Sequence, residues 1–449
     1  MSRSGSESSA PHPSQVSVIT VNWNGRGHLE HLVPSLQACG CGEIIVVDNG
    51  SSDGSKEYLR RRHPQVQIIE NDCNRGFAGP SNQGAQAARG RCLAFINNDM
   101  RADPGWLEEG LARLSPERPC VASRILDWEG KRIDFNGSSL QYLGFALQQD
   151  IGELAERVKD RDEVLFPCGG AMLIERQVFL DLEGFDPDYF AIFEDVDLGW
   201  RLWLSGYGVA FAPRSIAYHR GHATFARHAN ERMRYLMHRN ALLTVIKNYE
   251  EELFQKVFPL AVRLAIRRAV LLSGVERESF YLWAEARRQL RSGDEAAQER
   301  WIDALNHLVA LDDVLERLPQ VLEKRRRVQA LRRRPDSEIL ERFDDPLRRI
   351  VEDPEYEMEE QSWLRLLALD RHLPLEQAPD PRSRQADRLS AKVEDLRRQL
   401  DRLQRQGTQA LATPPPAGRP GLKAFLDSLR KDGPGLTLKR VARRLRRGL

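Results

Sequence analysis

No run of about 18 uncharged apolar residues occurs in the 449 positions, so no helix is expected to span a membrane. The opening MSRSGSESSAPHPS has no apolar stretch behind its arginine, and no secretory signal is expected there. Cysteine is scarce. Cys39 and Cys41 are too close for a CxxC pair, and Cys73, Cys92, Cys120 and Cys168 are scattered, which excludes a disulfide framework and fits a reducing cytoplasm. Charge of one sign is also missing: 67 basic against 65 acidic residues leave a net +2, and no nucleic-acid partner is expected. The dinucleotide fingerprint fails, because Gly25-Arg-Gly27 is followed by Glu at position 30, and no GxxxxGK[ST] phosphate loop exists. Core-forming material is present. A hydrophobic content of 41% excludes a wholly disordered chain, and the length predicts two or three domains.

Residues 1–14 are rich in Ser and Pro and are expected to be disordered. Strands and helices then alternate. Val16–Val21, Glu43–Asp48, Val66–Glu70 and Cys92–Ile96 are apolar, mostly β-branched runs that predict strands, the first of them buried. Between them His28–Ala38 has helical spacing through Leu29, Leu32, Val33 and Leu36. Asp53 can cap a helix to Arg62, and Gly79–Arg89 is a helix of small residues. This order predicts a mostly parallel sheet flanked by helices, with ligands at the carboxyl ends of the strands. Asn22, Asp48 and Asn97-Asn98-Asp99 lie at such ends.

From about Arg227 the pattern is helical and charged. Val257–Leu272 is basic and amphipathic, which fits either a helix in a membrane interface or one packed on its own domain. Leu389, Val393, Leu396, Leu400 and Leu403 form a short heptad seam that predicts a coiled coil at 386–406 and a candidate homodimer. A Pro-containing linker and a basic tail occupy 407–449. Six basic residues in nine, Lys439 to Arg447, make the tail a candidate for peripheral contact with an anionic membrane.

Several segments can do chemistry, and each taken alone is also an ordinary turn or cap. Val47-Asp-Asn-Gly-Ser-Ser-Asp-Gly54 and Asn74-Arg-Gly-Phe-Ala78 let backbone approach a ligand, with Asp48 able to accept hydrogen bonds from a base or ribose and Arg75 able to meet a phosphate. Asn97-Asn98-Asp99 offers oxygen ligands of the kind Mg²⁺ and Mn²⁺ prefer. One carboxylate holds such an ion only with help from substrate phosphates. Glu194, Asp195 and Asp197 open a helix whose dipole is expected to keep them ionised, which suits a general base. Gly169-Gly170 precede them in a strand that a substrate can approach closely, and His219 or His222 can bind a metal or phosphate.

Taken in order and spacing, Val18-Ile-Thr-Val-Asn-Trp-Asn24, the Asp48 and Asn74 segments, Asn97-Asn-Asp99, Gly169-Gly-Ala-Met, Gly184-Phe-Asp-Pro, Phe193-Glu-Asp-Val-Asp-Leu and the His219 segment make residues 15–250 resemble the family 2 glycosyltransferases of GT-A fold. The nearest likeness is to the rhamnosyltransferase-like branch that builds bacterial surface polysaccharides. The resemblance implies that Thr20, Asn22 and Asp48 line the nucleobase and ribose pocket and that Arg75, Gly76 and Asn98 lie on the nucleotide. It implies Asp99 and His219 at a Mg²⁺ or Mn²⁺ site, and Asp195, beside Glu194, as the base. Asparagine at 97 and 98, where the family often has Asp, lowers the expected metal affinity.

The implied activity is inverting transfer of a sugar from a nucleotide-diphosphate donor, of dTDP-rhamnose or UDP-sugar type, to a saccharide or lipid-linked acceptor. The implied place is the cytoplasm, peripheral on the inner face of the membrane. The competing reading is a catalytically weak scaffold whose helical half, 251–385 with the coiled coil, mediates membrane or protein assembly.

Overall fold

The computed structural model describes residues 11–220, 229–273, 295–342, 350 and 353–369. The chain divides into two compact units, Met1–Leu375 and Glu376–Leu449, and every described residue lies in the first. The heptad seam, the linker and the basic tail lie outside the described residues, as do His222 and residues 1–10. Of the expected disordered start, Pro13–Gln15 form a single 3₁₀ turn capped by His12.

The first half is built as its sequence predicts. Strands β1 (Val16–Asn22), β2 (Glu43–Asp48), β3 (Gln67–Glu70) and β4 (Cys92–Ile96) alternate with helices α1 (Arg26–Ala38), α2 (Ser55–Arg62) and α3 (Ala78–Ala87). β3, β2, β1 and β4 lie side by side and parallel. Both faces are covered, so β1, β2 and β4 carry continuous buried runs rather than alternation. Helix α3 sits so close to β1 that a Cβ on Gly84 would stand 2.5 Å from Ile19. The cap of α2 is Gly54, in the left-handed region. Asp53 still accepts the first helical N–H, from Ser55 at 3.1 Å.

Beyond β4 the sheet changes direction. The further elements are β5 (Met100–Ala102), α4 (Trp106–Leu111), β6 (Cys120–Asp127), β7 (Ile133–Phe135), a small β8–β9 hairpin (Ser138–Leu140, Ala146–Gln148), β10 (Ala171–Glu175), α5 (Arg176–Asp181), α6 (Glu194–Leu204) and β11 (Val209–His219). The sheet order is β3-β2-β1-β4-β10-β6-β11-β5, with β7 on β6. β10 is antiparallel to both neighbours and β5 is antiparallel to β11, so the sheet is mixed, and its parallel part is the first half together with the β6–β11 pair.

A helical region follows: α7 (Ala229–Asn248), α8 (Glu251–Ser273), α9 (Glu295–Glu316), α10 (Leu318–Ala330), α11 (Asp336–Leu340) and α12 (Pro354–Leu366). Helix α6 is buried nearly all round because it serves two cores. Leu198 and Leu202 join the sheet core, whereas Val196, Trp200 and Trp203 join the core formed with α7, α8 and the later helices.

Among the described residues no helix is long and apolar enough to cross a membrane. Of the two readings of Val257–Leu272, a helix in a membrane interface or one packed on its own domain, the described residues fit the second. Val257, Leu260, Leu264 and Ala265 are buried in the second core. Arg267 and Arg268 are buried with them, Arg267 3.4 Å from Glu359 and Arg268 bonded to the Tyr356 hydroxyl at 2.6 Å. The face bearing these residues is used for packing, while Ile266 is exposed.

Candidate active site

The carboxyl ends of β1, β2 and β4 are stitched together by side chains. Asn22 Nδ2 donates to Asp48 Oδ2 at 3.1 Å and to Ser51 Oγ at 3.2 Å, and Asn98 Nδ2 donates to Asn22 Oδ1 at 3.0 Å. Asp48 Oδ1 accepts the Ser51 N–H at 2.8 Å. Asn22 and Asp48 are fully buried, and Thr20, two positions earlier on β1, is buried with a hydroxyl that has no hydrogen-bond partner. Trp23 stands out beside them, 54% exposed.

The Asn74–Phe77 loop is tied to the same corner. Asn49 Nδ2 donates to the Gly76 carbonyl at 2.7 Å, and Asn74 Oδ1 accepts the Gly76 N–H at 2.9 Å. Gly76 has φ +80°, and a Cβ there would lie 2.2 Å from the Phe190 carbonyl oxygen, so no other residue fits. Arg75 beside it is exposed.

Asp99 and His219 are 120 residues apart in the chain and are joined by strand pairing. β5 pairs with the end of β11, with His219 opposite Met100. This brings His219 Nε2 to 3.2 Å from Asp99 Oδ2. The other ring nitrogen bonds Asp134 on β7. Burial alone would lower the His219 pKa, but the hydrogen bonds and charges of Asp134 and Asp99 outweigh it and push it up to about 10. Burial would raise the Asp99 pKa. His219, with a smaller contribution from His28 on α1, holds it low instead. Among the described residues no group of three His, Cys, Asp or Glu can by itself hold a metal ion. A divalent ion is therefore matched to Asp99 and His219 only with substrate oxygens completing its shell. The donor set fits: an imidazole oriented through its far nitrogen by a carboxylate is a common second layer around a bound metal.

Glu194 and Asp195 stand at the start of α6, across the Gly169-Gly170 pair. Asp195 Oδ2 accepts the Gly169 N–H at 2.7 Å, and Oδ1 accepts the Val196 N–H at 2.8 Å. A Cβ on Gly169 would lie 3.2 Å from Glu194 Oε1, 3.3 Å from Phe77 and 3.5 Å from Asp195 Oδ2. One on Gly170 would lie 2.9 Å from Met100 and 3.3 Å from Asn97 Nδ2. Gly169-Gly170 is thus the hinge point between the acid pair, the Asn74–Phe77 loop and the strand end bearing Asp99.

The three carboxylates of α6 are not all kept ionised by the dipole, contrary to expectation. Burial, reinforced by the Asp195 charge, raises Glu194 well above the usual range, and its Oε2 is buried without a partner. Burial pushes Asp195 up to about 6, against the pull of the Gly169 and Val196 N–H groups. Asp197 is fully buried yet held low, because Arg201 (2.9 Å) and Lys247 (2.8 Å) outweigh the cost of burial. Lys247 also bonds Asp186 at 2.6 Å, and Lys324 on α10 bonds the other Asp186 oxygen at 2.6 Å.

The structure thus gathers Thr20, Asn22, Asp48, Asn98, Asp99 and His219 at one sheet end, with Gly76, Arg75 and the Glu194–Asp195 pair around it. Asn49 and Asp134 were not legible as site residues. Asn49 carried only the weak signal of following Asp48 in a turn, and Asp134 carried none, because β7 is three residues long.

Residues 17–182 match the family model described as Glycosyl transferase family 2. The chain carries a family 2 glycosyl transferase domain. Over 213 residues, 47% of this chain and 44% of the relative, it is 26% identical to a pre-mycofactocin glycosyltransferase of Mycobacterium tuberculosis. Over 235 residues, 46% of this chain and 76% of the relative, it is 25% identical to the N-acetylglucosaminyl-diphospho-decaprenol L-rhamnosyltransferase of the same organism. A mannosyltransferase of Pyrobaculum calidifontis, solved with GDP-Man and Mn²⁺, superposes with a TM-score of 0.40 at 16% identity, covering 68% of this chain and 89% of that one. The chain spans under half the length of the pre-mycofactocin enzyme. The family 2 match stops at 182, so Glu194, Asp195 and His219 lie beyond it.

Proposed function

We propose that the chain is an inverting glycosyltransferase that moves a sugar from a nucleotide-diphosphate donor to a hydroxyl of a saccharide or lipid-linked acceptor, on the cytoplasmic face where nucleotide sugars are made. The observation that carries this reading is the placement of two different carboxylate sites around Gly169-Gly170: Asp99 with His219 near one side, and Asp195 on the other. The family 2 match supports the reaction class, and the similarity to the N-acetylglucosaminyl-diphospho-decaprenol L-rhamnosyltransferase supports a rhamnose-type sugar and a lipid-linked acceptor.

The chemistry follows from the residues. Asn22, Asp48 and the Thr20 hydroxyl supply polar atoms for the nucleoside, and the Asn74–Phe77 loop brings backbone and Arg75 to the phosphates. Asp99 and His219 would hold Mg²⁺ or Mn²⁺, which when bound neutralises the leaving nucleoside diphosphate. Asp134, bonded to Nδ1, orients the His219 ring so that Nε2 faces Asp99, and metal binding there would displace the Nε2 proton. Asp195, its pKa pushed up to about 6 by burial, takes the acceptor hydroxyl proton as that oxygen attacks the anomeric carbon from the face opposite the leaving group. The single displacement inverts the centre and needs no protein nucleophile.

The test is a panel of dTDP-, UDP- and GDP-sugars, scored for thermal protection and donor hydrolysis with Mg²⁺, with Mn²⁺ and with chelator. Metal-dependent protection by one nucleotide class is the expected result. Protection by none of them, with or without metal, would sink the reading.

A further inference from the structure

Three non-glycine residues within four positions, Phe190 (φ +63°), Ile192 (φ +71°) and Phe193 (φ +68°), hold left-handed backbone immediately before the acid pair. Bulky and β-branched side chains disfavour that region, and such conformations persist only where the surroundings over-determine them. Here the surroundings are supplied by α7, an element outside the family 2 match. Asn240 Nδ2 donates to three carbonyls of the turn: Tyr189 at 3.0 Å, Ala191 at 3.0 Å and Ile192 at 2.6 Å. Its two N–H bonds are shared among three acceptors. Arg239 Nη2 donates to the Asp188 carbonyl at 2.7 Å and to Tyr189 at 3.0 Å, and Arg239 Nε donates to Asn240 Oδ1 at 3.0 Å, which fixes which way the amide points. Both side chains are buried.

The clamped turn touches both halves of the site. The Phe190 carbonyl accepts the Phe77 N–H at 2.6 Å and the Ala78 N–H at 3.1 Å, at the entrance to α3 and against Gly76. Two residues after Phe193 the chain places Asp195 on the Gly169 N–H. The position of the base and the position of the donor loop are therefore set by one short segment that is held from outside.

We infer that Asn240, with Arg239, is a positioning residue that locks the left-handed turn at 189–193 and so fixes Asp195 relative to the Asn74–Phe77 loop. The inference rests on Asp195 being the base. Misplacing a catalytic group by about 1 Å can cost on the order of 10²-fold in rate.

The test compares Asn240→Ala with Asn240→Ala/Ile192→Gly in the full chain. Asn240→Ala should lower kcat on the order of 10²-fold and change the nucleotide Kd far less. Hydrogen exchange should rise across 189–193. Glycine at 192 has no penalty at φ +71°, so the double variant should recover a substantial part of kcat, although glycine ordinarily weakens a fold. A purely structural role predicts the reverse: kcat falling only with the folded fraction, and glycine deepening the loss. That result, or unchanged exchange across 189–193, overturns the inference. Arg239→Lys keeps the charge but loses the forked contact, and serves as the second variant if Asn240→Ala does not accumulate; the same loss of kcat and gain of exchange are expected. Asp195→Asn assayed in parallel separates the two ideas. Full transfer by that variant removes the base assignment, while the exchange measurement still judges the lock.

Discussion

Two carboxylate clusters lie within a few residues of each other around α6, and they differ in how completely their oxygens are used. In the closed cluster Asp186 and Asp197 are buried and shared among Lys247, Lys324 and Arg201. Their charges are held ionised by cations that never leave. In the open cluster Asp99 shares a single histidine, His219, with Asp134, Glu194 keeps an unpartnered oxygen, and Asp195 is held by two backbone N–H groups and no cation. Residue type does not separate a structural acid from a reactive one. The distinction lies in whether a permanent counter-charge is supplied by the protein or left for a substrate, a metal or a proton.

This contrast is sharpest at Asp195. Asp195→Asn should keep nucleotide binding and lose transfer by about 10²-fold or more, since general-base catalysis is worth that much. Near-wild-type transfer by the purified variant would place Asp195 with the structural acids. The closed cluster should answer in stability. Lys247→Met leaves Asp186 and Asp197 short of a cation and should cost about 3 kcal/mol or more in urea unfolding. An unchanged midpoint and slope would show that Lys324 and Arg201 suffice without it.

Asp134 belongs to the open cluster only through His219. Asp134→Asn should weaken Mn²⁺ affinity about 10- to 100-fold in the presence of nucleoside diphosphate, read by calorimetry, with the nucleotide pocket intact. Equal Mn²⁺ affinity in the variant would reduce Asp134 to a surface contact. The smallest effect is in pH. Asp195 must be ionised to act, and its folded pKa lies above the ordinary carboxyl value, so kcat should rise with pH and reach half its plateau near pH 6. A profile flat down to pH 4.5 would mean an ordinary, solvated carboxylate.

How far the sequence could be read depended on whether the cause of each feature was local. Strands β1, β2 and β4 were legible because burial on both faces forces continuous apolar runs. The start of α6 was legible from its acids and the tryptophans that follow. The protonation states of those acids were not, because they depend on Lys247 and on burial under α7, some 50 residues away. His219 carried a motif, while Asp134 reaches the same ring from a three-residue strand with none. Amphipathicity in Val257–Leu272 was read correctly but could not say what would cover the apolar face. The answer lay in α9 and α12, whose surfaces become complementary only after folding.

The two-sided burial of α6 has a consequence for where this protein can be cut. The family 2 match ends at 182, and a natural place to trim would be just past β11. Such a fragment would keep every motif-bearing residue, yet it would strip the cover from Trp200 and Trp203 and remove the amide that braces the turn before Asp195. The sheet and the described helices after it belong to one compact unit. The smallest piece expected to behave like the whole must extend through α10, whose Lys324 reaches back to Asp186.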